Sequence, residues 1–576
     1  MKNRFLALLL AVAVTSVRAA DNPYPAGPDS QHRDDVPHGE VLKGVFDQSK
    51  VFPGTVRDYT LYLPAQLDRT RRAPLMVLQD NGGYNAIDVF DNLIASKQIP
   101  TLVGLFINHG RVKALTTNAL DRFNRSFEYD GMGDNYARFL LDEFFPFIER
   151  THGILLTTNG NERAIGGASS GAVCAFTAAW ERPNEFRRVF SSVGTYVGLR
   201  GGNNYPTLIR KTEPKPLRIF LQDGKNDLNI YAGDWWMANQ EMERALLFAG
   251  YDVNRAWGLG GHDGQQATQI FPDAVRWLWR DFPSEVRANP EGRSKQPVVT
   301  DVLLPGESWQ LVADGFKFTE GPAVSANGEV YFTDIPNSRI HKISLDGKVT
   351  VFAENTGEAN GLMFGPDGRL YACANGRKQV VAYDAQAKPT VIADDIESND
   401  LCIGANGNLY VTDPTHKKVW LIPAGGTRRV VDEGLKFANG VRLSPDQSLL
   451  YVADTQAQFI YSYQIQPDGS LLYKQKYYYL HLVEGSTQSG ADGMTLDTEG
   501  RLYVATEMGI QFCDQAGRVN GIIPKPQNRW LAHLVLGGPK FDELYAFCTD
   551  KVYRRKTRVT GVNSALPPIK PPAPRL

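Results

Sequence analysis

The sequence predicts two unlike halves: a doubly wound α/β domain, then an all-β six-bladed propeller. Three observations lead there. The chain has 576 residues, 42% hydrophobic and 22% charged, which is enough for more than one packed core. From about 50 to 285, strand-like and helix-like patterns alternate. From about 304 onward, one turn-and-strand unit recurs at nearly constant spacing without a long helical pattern. The expected division is a signal peptide over 1–20, the α/β domain over 21–285, a linker over 286–303, the propeller over 304–556 and a Pro-rich tail over 557–576.

At the N-terminus, Lys2 and Arg4 precede the apolar run Phe5 to Val14, and Val17-Arg18-Ala19 offers small or β-branched residues for cleavage. Ten apolar residues are too few to span a bilayer of about 30 Å, so the pattern predicts a cleaved secretory signal peptide. No later stretch is long and apolar enough for a membrane span. The expectation is a secreted or periplasmic protein. Lys+Arg (62) and Asp+Glu (63) nearly cancel, so no basic excess exists to neutralise phosphates and nucleic acid is not an expected partner. Five cysteines could form at most two disulfides, so disulfides are not the scaffold.

In the first domain, Val56 to Leu63, Leu75 to Leu78 and Leu217 to Leu221 read as strands. Tyr136, Phe139, Leu140, Phe144, Phe147 and Ile148 recur at helical spacing, and Trp235 to Phe248 and Gln266 to Trp279 also read as helices. Ile165-Gly166-Gly167-Ala168-Ser169-Ser170-Gly171 ends a strand and opens a helix. Gly167-x-Ser169-x-Gly171 in that context is a nucleophile elbow, whose glycines leave room for a strained turn exposing the Ser hydroxyl. The elbow predicts the order Ser, acid, His. His262, in Gly260-Gly261-His262-Asp263-Gly264, is the one His between Ser169 and the linker. Asp223 and Asp227 both follow the strand ending at Leu221; Asp227, further into the loop, is preferred as the acid, with Asp223 a turn residue beside Gly224. Oxyanion donors are expected from the Ser170 N–H and from Gly82 or Gly83, in the loop after Leu75 to Leu78.

With these residues in view, the domain resembles the enterochelin esterase and feruloyl/acetyl-xylan esterase group of α/β-hydrolases. The match includes Ser49-Lys50-Val51-Phe52, Arg57-Asp58-Tyr59, Arg125-Ser126-Phe127-Glu128-Tyr129, Glu143 and Pro146, and the elbow, over roughly 40 to 282. The resemblance implies an ester of a carbohydrate, a phenolic acid or a siderophore. Arg125 and Glu128 are candidates for substrate contact or for internal ion pairs.

In the second half, Tyr331, Tyr371, Tyr410, Tyr451, Tyr503 and Tyr545 each follow a turn and sit 40, 39, 41, 52 and 42 residues apart. Six units mean six blades, with an insertion around Tyr477 to Gln488. A second ladder precedes each hairpin: Glu320-Gly321, Asn360-Gly361, Asn399-Asp400, Asn439-Gly440 and Asp492-Gly493, with a sixth place near Ala532-His533. Equivalent positions should converge on the central channel. Carboxylate and amide oxygens there suit a hard divalent cation; the other reading is a set of ordinary Asn/Asp-Gly turns.

These residues resemble the gluconolactonase, regucalcin and senescence-marker family over about 308 to 550. Further matches are Phe318-Thr319-Glu320-Gly321-Pro322, Asn439-Gly440-Val441 with Ser444-Pro445-Asp446, and Asp492-Gly493-Met494. The resemblance implies that Glu320, Asn439 and Asp492 are ligands of a divalent metal, Ca²⁺ first, with Zn²⁺, Mg²⁺ or Mn²⁺ as alternatives. It implies that Asn399 contacts water or substrate; Asn360 beside it is a further candidate for substrate contact, and Asp492 is a candidate base. Where the family often has Arg two residues before that Asn, this chain has Glu397. The expected function is a secreted bifunctional hydrolase: a serine carboxylesterase for carbohydrate-linked or phenolic esters plus a metal-dependent sugar lactonase. The alternative is a siderophore or carbohydrate esterase whose propeller only binds.

Overall fold

The computed structural model describes residues 23–289 and 298–573. The expected signal peptide lies outside the described residues. None of the described helices is long and apolar enough to cross a membrane.

The first half is built on one eight-stranded sheet: β1 (Glu40–Phe46), β2 (Arg57–Leu63), β3 (Leu75–Gln79), β4 (Val103–Ile107), β5 (Arg163–Ala168), β6 (Arg188–Ser192), β7 (Arg218–Gly224) and β8 (Asp252–Gly258). Its order is β1-β2-β4-β3-β5-β6-β7-β8. β1 and β2 are antiparallel, as are β2 and β4; every other pairing is parallel. The central strands are buried on both sides, as helices on both faces require. α1 (Ala86–Ala95) and α5 (Gln265–Trp279) cover one face through Val89, Phe90, Leu93, Phe271, Val275 and Leu278. α2 (Ser170–Glu181), α3 (Tyr205–Lys211), α4 (Trp235–Ala249) and the helical segment 135–152 cover the other.

The second half is a ring of six four-stranded antiparallel sheets. Their innermost strands are Thr319–Val324, Ala359–Phe364, Leu401–Ile403, Ala438–Leu443, Met494–Leu496 and His533–Gly537. The ring closes by strand exchange: Gln310–Asp314, from before the first blade, pairs antiparallel with Lys551–Lys556 and becomes the outer strand of the last. The repeated tyrosines lie on the second strand of each blade, in the alternating register that buries them between blades.

Three segments carry structure that their sequence-based description did not specify. Within the stretch read as a linker, Val298–Val302 forms a helix whose Val302, with Leu303, is buried against the fifth and sixth blades; apolar side chains there find a core the composition did not signal. The Pro-rich tail runs over the propeller in extended form: Thr557 bridges Leu303, Gly561 bridges Asp497 and the Ile569 N–H reaches the Pro445 carbonyl at 2.9 Å. A chain poor in N–H donors can pack this way without a ladder of its own. The extra residues of the fourth blade form a long outer strand, Leu471–Tyr479, and a loop whose Glu484 accepts the Gly133 N–H at 2.9 Å.

The loop contact belongs to a junction between the halves. Arg555, buried, makes two hydrogen bonds of 2.9 Å with the Glu213 carboxylate. Thr212 bridges Ile522 in parallel, and Lys211 Nζ lies 3.0 Å from His481 Nε2. All five cysteines are free and buried.

Candidate functional sites

The first site stands at the C-terminal edge of β5. Ser169 follows that strand and caps α2 with φ 57° and ψ −122°, a conformation that non-glycine residues adopt only where the surroundings enforce it. The neighbouring glycines give this turn its room: a Cβ on Gly167 would lie 2.7 Å from the Gly171 backbone, and one on Gly166 2.8 Å from Phe190 Cβ. His262 comes from the loop between β8 and α5, and Asp227 from the loop after β7. His262 Nε2 lies 2.9 Å from Ser169 Oγ, and His262 Nδ1 2.6 Å from Asp227 Oδ1. Burial alone would raise the Asp227 pKa; the hydrogen bonds from His262, Asp223 and the Leu228 N–H outweigh it and hold the carboxyl below its ordinary range.

Asp223, expected as a turn residue, instead lies at the end of strand β7 with no exposed surface. Burial, then the adjacent Asp227, pushes it up to about 9. Two further partners had no sequence signal. Thr195 Oγ1 lies 3.2 Å from Ser169 Oγ and accepts the Trp235 indole N–H at 3.2 Å. The Trp235 ring also meets His262 edge to face at 5.8 Å.

For an oxyanion, the Ser170 N–H opens α2, where first-turn N–H groups have no intrahelical acceptor. In the loop after β3 every residue from Asp80 to Asn85 has positive φ. The Gly82 N–H is already donated to the Gln79 carbonyl at 3.2 Å, whereas Gly83 faces open space and its N–H has no acceptor among the described residues. Gly83 is therefore the better second donor of the two. Asp80 is held by Arg125 through bonds of 2.7 to 3.2 Å, and Arg125 Nη2 also reaches the Ala168 carbonyl. Glu128 is spent on Arg57 in a fully buried pair at 2.8 Å. Both ion pairs are internal.

The second site lies where the innermost propeller strands converge. Asn360 donates to Asn399, Asn399 Nδ2 donates to Asn439 Oδ1 at 2.7 Å, and Asn439 Nδ2 donates to Thr455 Oγ1 at 2.9 Å. The Trp530 indole N–H holds Asp492 Oδ2 at 2.8 Å. The ladder's glycines let neighbouring blades approach: a Cβ on Gly440 would lie 2.3 Å from the Asp492 carbonyl oxygen. At the third blade Asp400 replaces that glycine. Its carboxylate accepts Arg442 Nη1 at 2.9 Å, and Arg442 Nη2 lies 3.0 Å from His533 Nε2. Burial would raise Asp400; the Arg442 charge and His533 bring it down to about 2.

Glu320 and Asp492 fit a cation. Glu320 Oε2 is buried without a hydrogen-bond partner among the described residues. Burial, then the neighbouring Asp492, pushes Glu320 well up, and burial with the Asp400 charge pushes Asp492 up to about 7 despite the Trp530 bond. Two carboxylates crowded in a dry place are what a divalent cation would neutralise, and Asn439 adds a neutral oxygen. No cluster of three or more His, Cys, Asp or Glu among the described residues is arranged for a metal, so any such site depends on the amide. The cavity at the domain junction, about 230 Å³ and lined by Phe52, Phe127, Arg200 and Glu484 among others, contains none of the residues of either centre.

Comparison with known proteins divides the chain at the same place. Residues 52–304 match the family described as putative esterase, and residues 318–548 match the SMP-30/gluconolactonase/LRE-like region. A gluconolactonase of Zymomonas mobilis is 25% identical over 303 residues, spanning 46% of this chain and 84% of that protein. Among solved structures, a calcium-binding regucalcin of Agrobacterium tumefaciens is 16% identical, covering 44% of this chain and 95% of its own, with a TM-score of 0.39. A ferulic acid esterase is 18% identical, covering 43% of this chain and 100% of its own, with a TM-score of 0.35.

Proposed function

We propose that this chain, joining a putative-esterase region to an SMP-30/gluconolactonase/LRE-like propeller, is a hydrolase with two separate centres: a serine carboxylesterase and a cation-dependent lactonase. The observation that carries the first is His262, hydrogen-bonded to Ser169 on one side and Asp227 on the other. The strand order and the strained elbow support an α/β-hydrolase fold for that half.

Ser169 Oγ attacks the ester carbonyl carbon as His262 Nε2 takes its proton. Asp227 keeps Nδ1 protonated and faces the imidazolium that forms. Thr195, whose oxygen already accepts from Trp235, turns its own O–H toward Ser169. The carbonyl oxygen, now negative, is held by the Ser170 and Gly83 N–H groups. Collapse expels the alcohol, protonated by His262; water then attacks the acyl-enzyme with His262 as base, releasing the acid and restoring Ser169. The substrates proposed are carbohydrate-linked or phenolic esters.

In the propeller, Glu320, Asn439 and Asp492 would hold the divalent cation, Ca²⁺ first. A cation there would supply Lewis-acid polarisation of a lactone carbonyl. The chain's own part is orientation: Trp530 fixes one Asp492 oxygen, and the Asn360–Asn399–Asn439 relay presents amides to the channel. With residues 1–20 read as a signal peptide, the mature protein acts outside the cytoplasm.

Ser169→Ala tests the first centre. It should cut aryl-ester turnover by at least about a thousandfold and leave aldonolactone hydrolysis unchanged. Unchanged ester turnover would remove the serine mechanism.

A further inference from the structure

Behind His262 three buried oxygens have no donor among the described residues: Asp223 Oδ2, Asp227 Oδ2 and Asn239 Oδ1. The other polar atoms of these side chains are engaged. Asp223 Oδ1 accepts the Gly224 N–H at 2.7 Å. Asp227 Oδ1 takes both His262 Nδ1 and the Leu228 N–H, each at 2.6 Å. Asn239, from α4, donates Nδ2 to the Gly194 and Trp235 carbonyls at 2.9 and 3.0 Å. Flipping that amide would set its oxygen against two carbonyl oxygens, so its orientation is fixed with Nδ2 on them.

The Asp223 carboxyl lies against that of Asp227, close enough for the two to share a hydrogen bond. Asp223 Oδ2 and Asp227 Oδ2 are both buried without a donor among the described residues, and two acceptors cannot satisfy one another. No Lys or Arg among the described residues pairs with Asp223; from α5, Gln266 reaches only its backbone carbonyl, at 3.5 Å. One proton is missing from the heavy-atom arrangement.

Resting on the serine-esterase reading of Ser169, we propose that Asp223 is a protonated carboxylic acid whose O–H donates to Asp227 Oδ2, making it a positioning residue for the acid of the triad. The proton belongs on Asp223 because two donors already stabilise the Asp227 anion through Oδ1, while Asp223 has one backbone N–H and no exposure. Both Asp227 oxygens are then pinned, one by His262 and one by Asp223. A single negative charge, rather than two repelling ones, faces the imidazolium. The Asp223 proton is not transferred during turnover; only the Ser169 proton moves, to His262 and back.

The test pairs spectroscopy with kinetics on the full chain. Infrared difference spectra of wild type against Asp223→Asn at pH 7 should show the carbonyl stretch of one protonated carboxyl, lost in the variant. Asp223→Asn keeps a neutral donor, so its kcat/KM should stay within about threefold of wild type and the acid limb of its pH profile should not move. Asp223→Leu removes the donor, and kcat should fall by about ten- to a hundredfold with little change in KM. If Asp223 is ionised, no such band is lost, and Asp223→Asn shifts the acid limb down by half a pH unit or more, because a negative charge beside the base has gone. Either result overturns the proposal, as does a wild-type turnover in Asp223→Leu. The infrared arm does not depend on turnover, so absence of ester hydrolysis would sink the Ser169 reading and still leave Asp223 decided.

Discussion

Ser169, His262 and Asp227 come from three loops at one edge of a parallel sheet, the place where α/β architectures gather their chemistry. At this scale the pH dependence of stability has a definite sign. A carboxyl raised to about 9 in the fold, against about 3.9 in an unfolded chain, leaves the folded state holding a proton the unfolded state has lost. Stability from this group is therefore undiminished below about pH 4 and falls as pH rises toward 9, by about 1.4 kcal/mol per pH unit. Asp223→Asn removes that slope. Chemical denaturation at pH 5, 6.5 and 8 should show the variant gaining on wild type as pH rises; parallel curves would mean that Asp223 carries no proton.

Within single elements, the legible parts of the sequence were the local ones. Gly167-x-Ser169-x-Gly171 announces its own geometry, since the strand before and the helix after lie within a few residues. The tyrosine ladder and the ring positions recur, so repetition substitutes for an alignment. Thr195 and Trp235 had no such signal, because Thr195 meets Ser169, and Trp235 meets Thr195, only after separate segments converge. Asp400 and His533 could have been noticed as the two places in the ladder where the glycine is missing; that Arg442, from another blade, joins them could not. The glycines that remain are required by close approach between blades. Gly440→Ala would drive a methyl to 2.3 Å from the Asp492 carbonyl oxygen, which is backbone and cannot swing away. Expected is a loss on the order of 1–3 kcal/mol in the propeller's transition by calorimetry, with ester hydrolysis unaffected. An unchanged propeller transition would contradict the close packing at the ring.

For the whole molecule, the two halves are not beads on a string. Arg555 is 1% exposed in its side chain and spends its charge on Glu213 of the other half. Composition and periodicity gave no hint of this pair, 342 residues apart in the chain. Glu213→Gln strands a buried guanidinium, a change that commonly costs about 3–5 kcal/mol. Differential scanning calorimetry should show the two halves unfolding farther apart in temperature than in wild type; coincident, unshifted transitions would mean that the junction does not couple them.

The two centres nevertheless use independent chemistries, one needing only side chains and backbone N–H groups, the other needing the cation that Glu320, Asn439 and Asp492 are proposed to bind. The most direct measurement follows ester and aldonolactone hydrolysis in one preparation, before and after exhaustive chelation and after return of Ca²⁺. Two centres predict that chelation abolishes lactone hydrolysis, Ca²⁺ restores it and ester hydrolysis stays constant throughout. Loss of both activities together, or lactone hydrolysis that persists without any divalent ion, would contradict them.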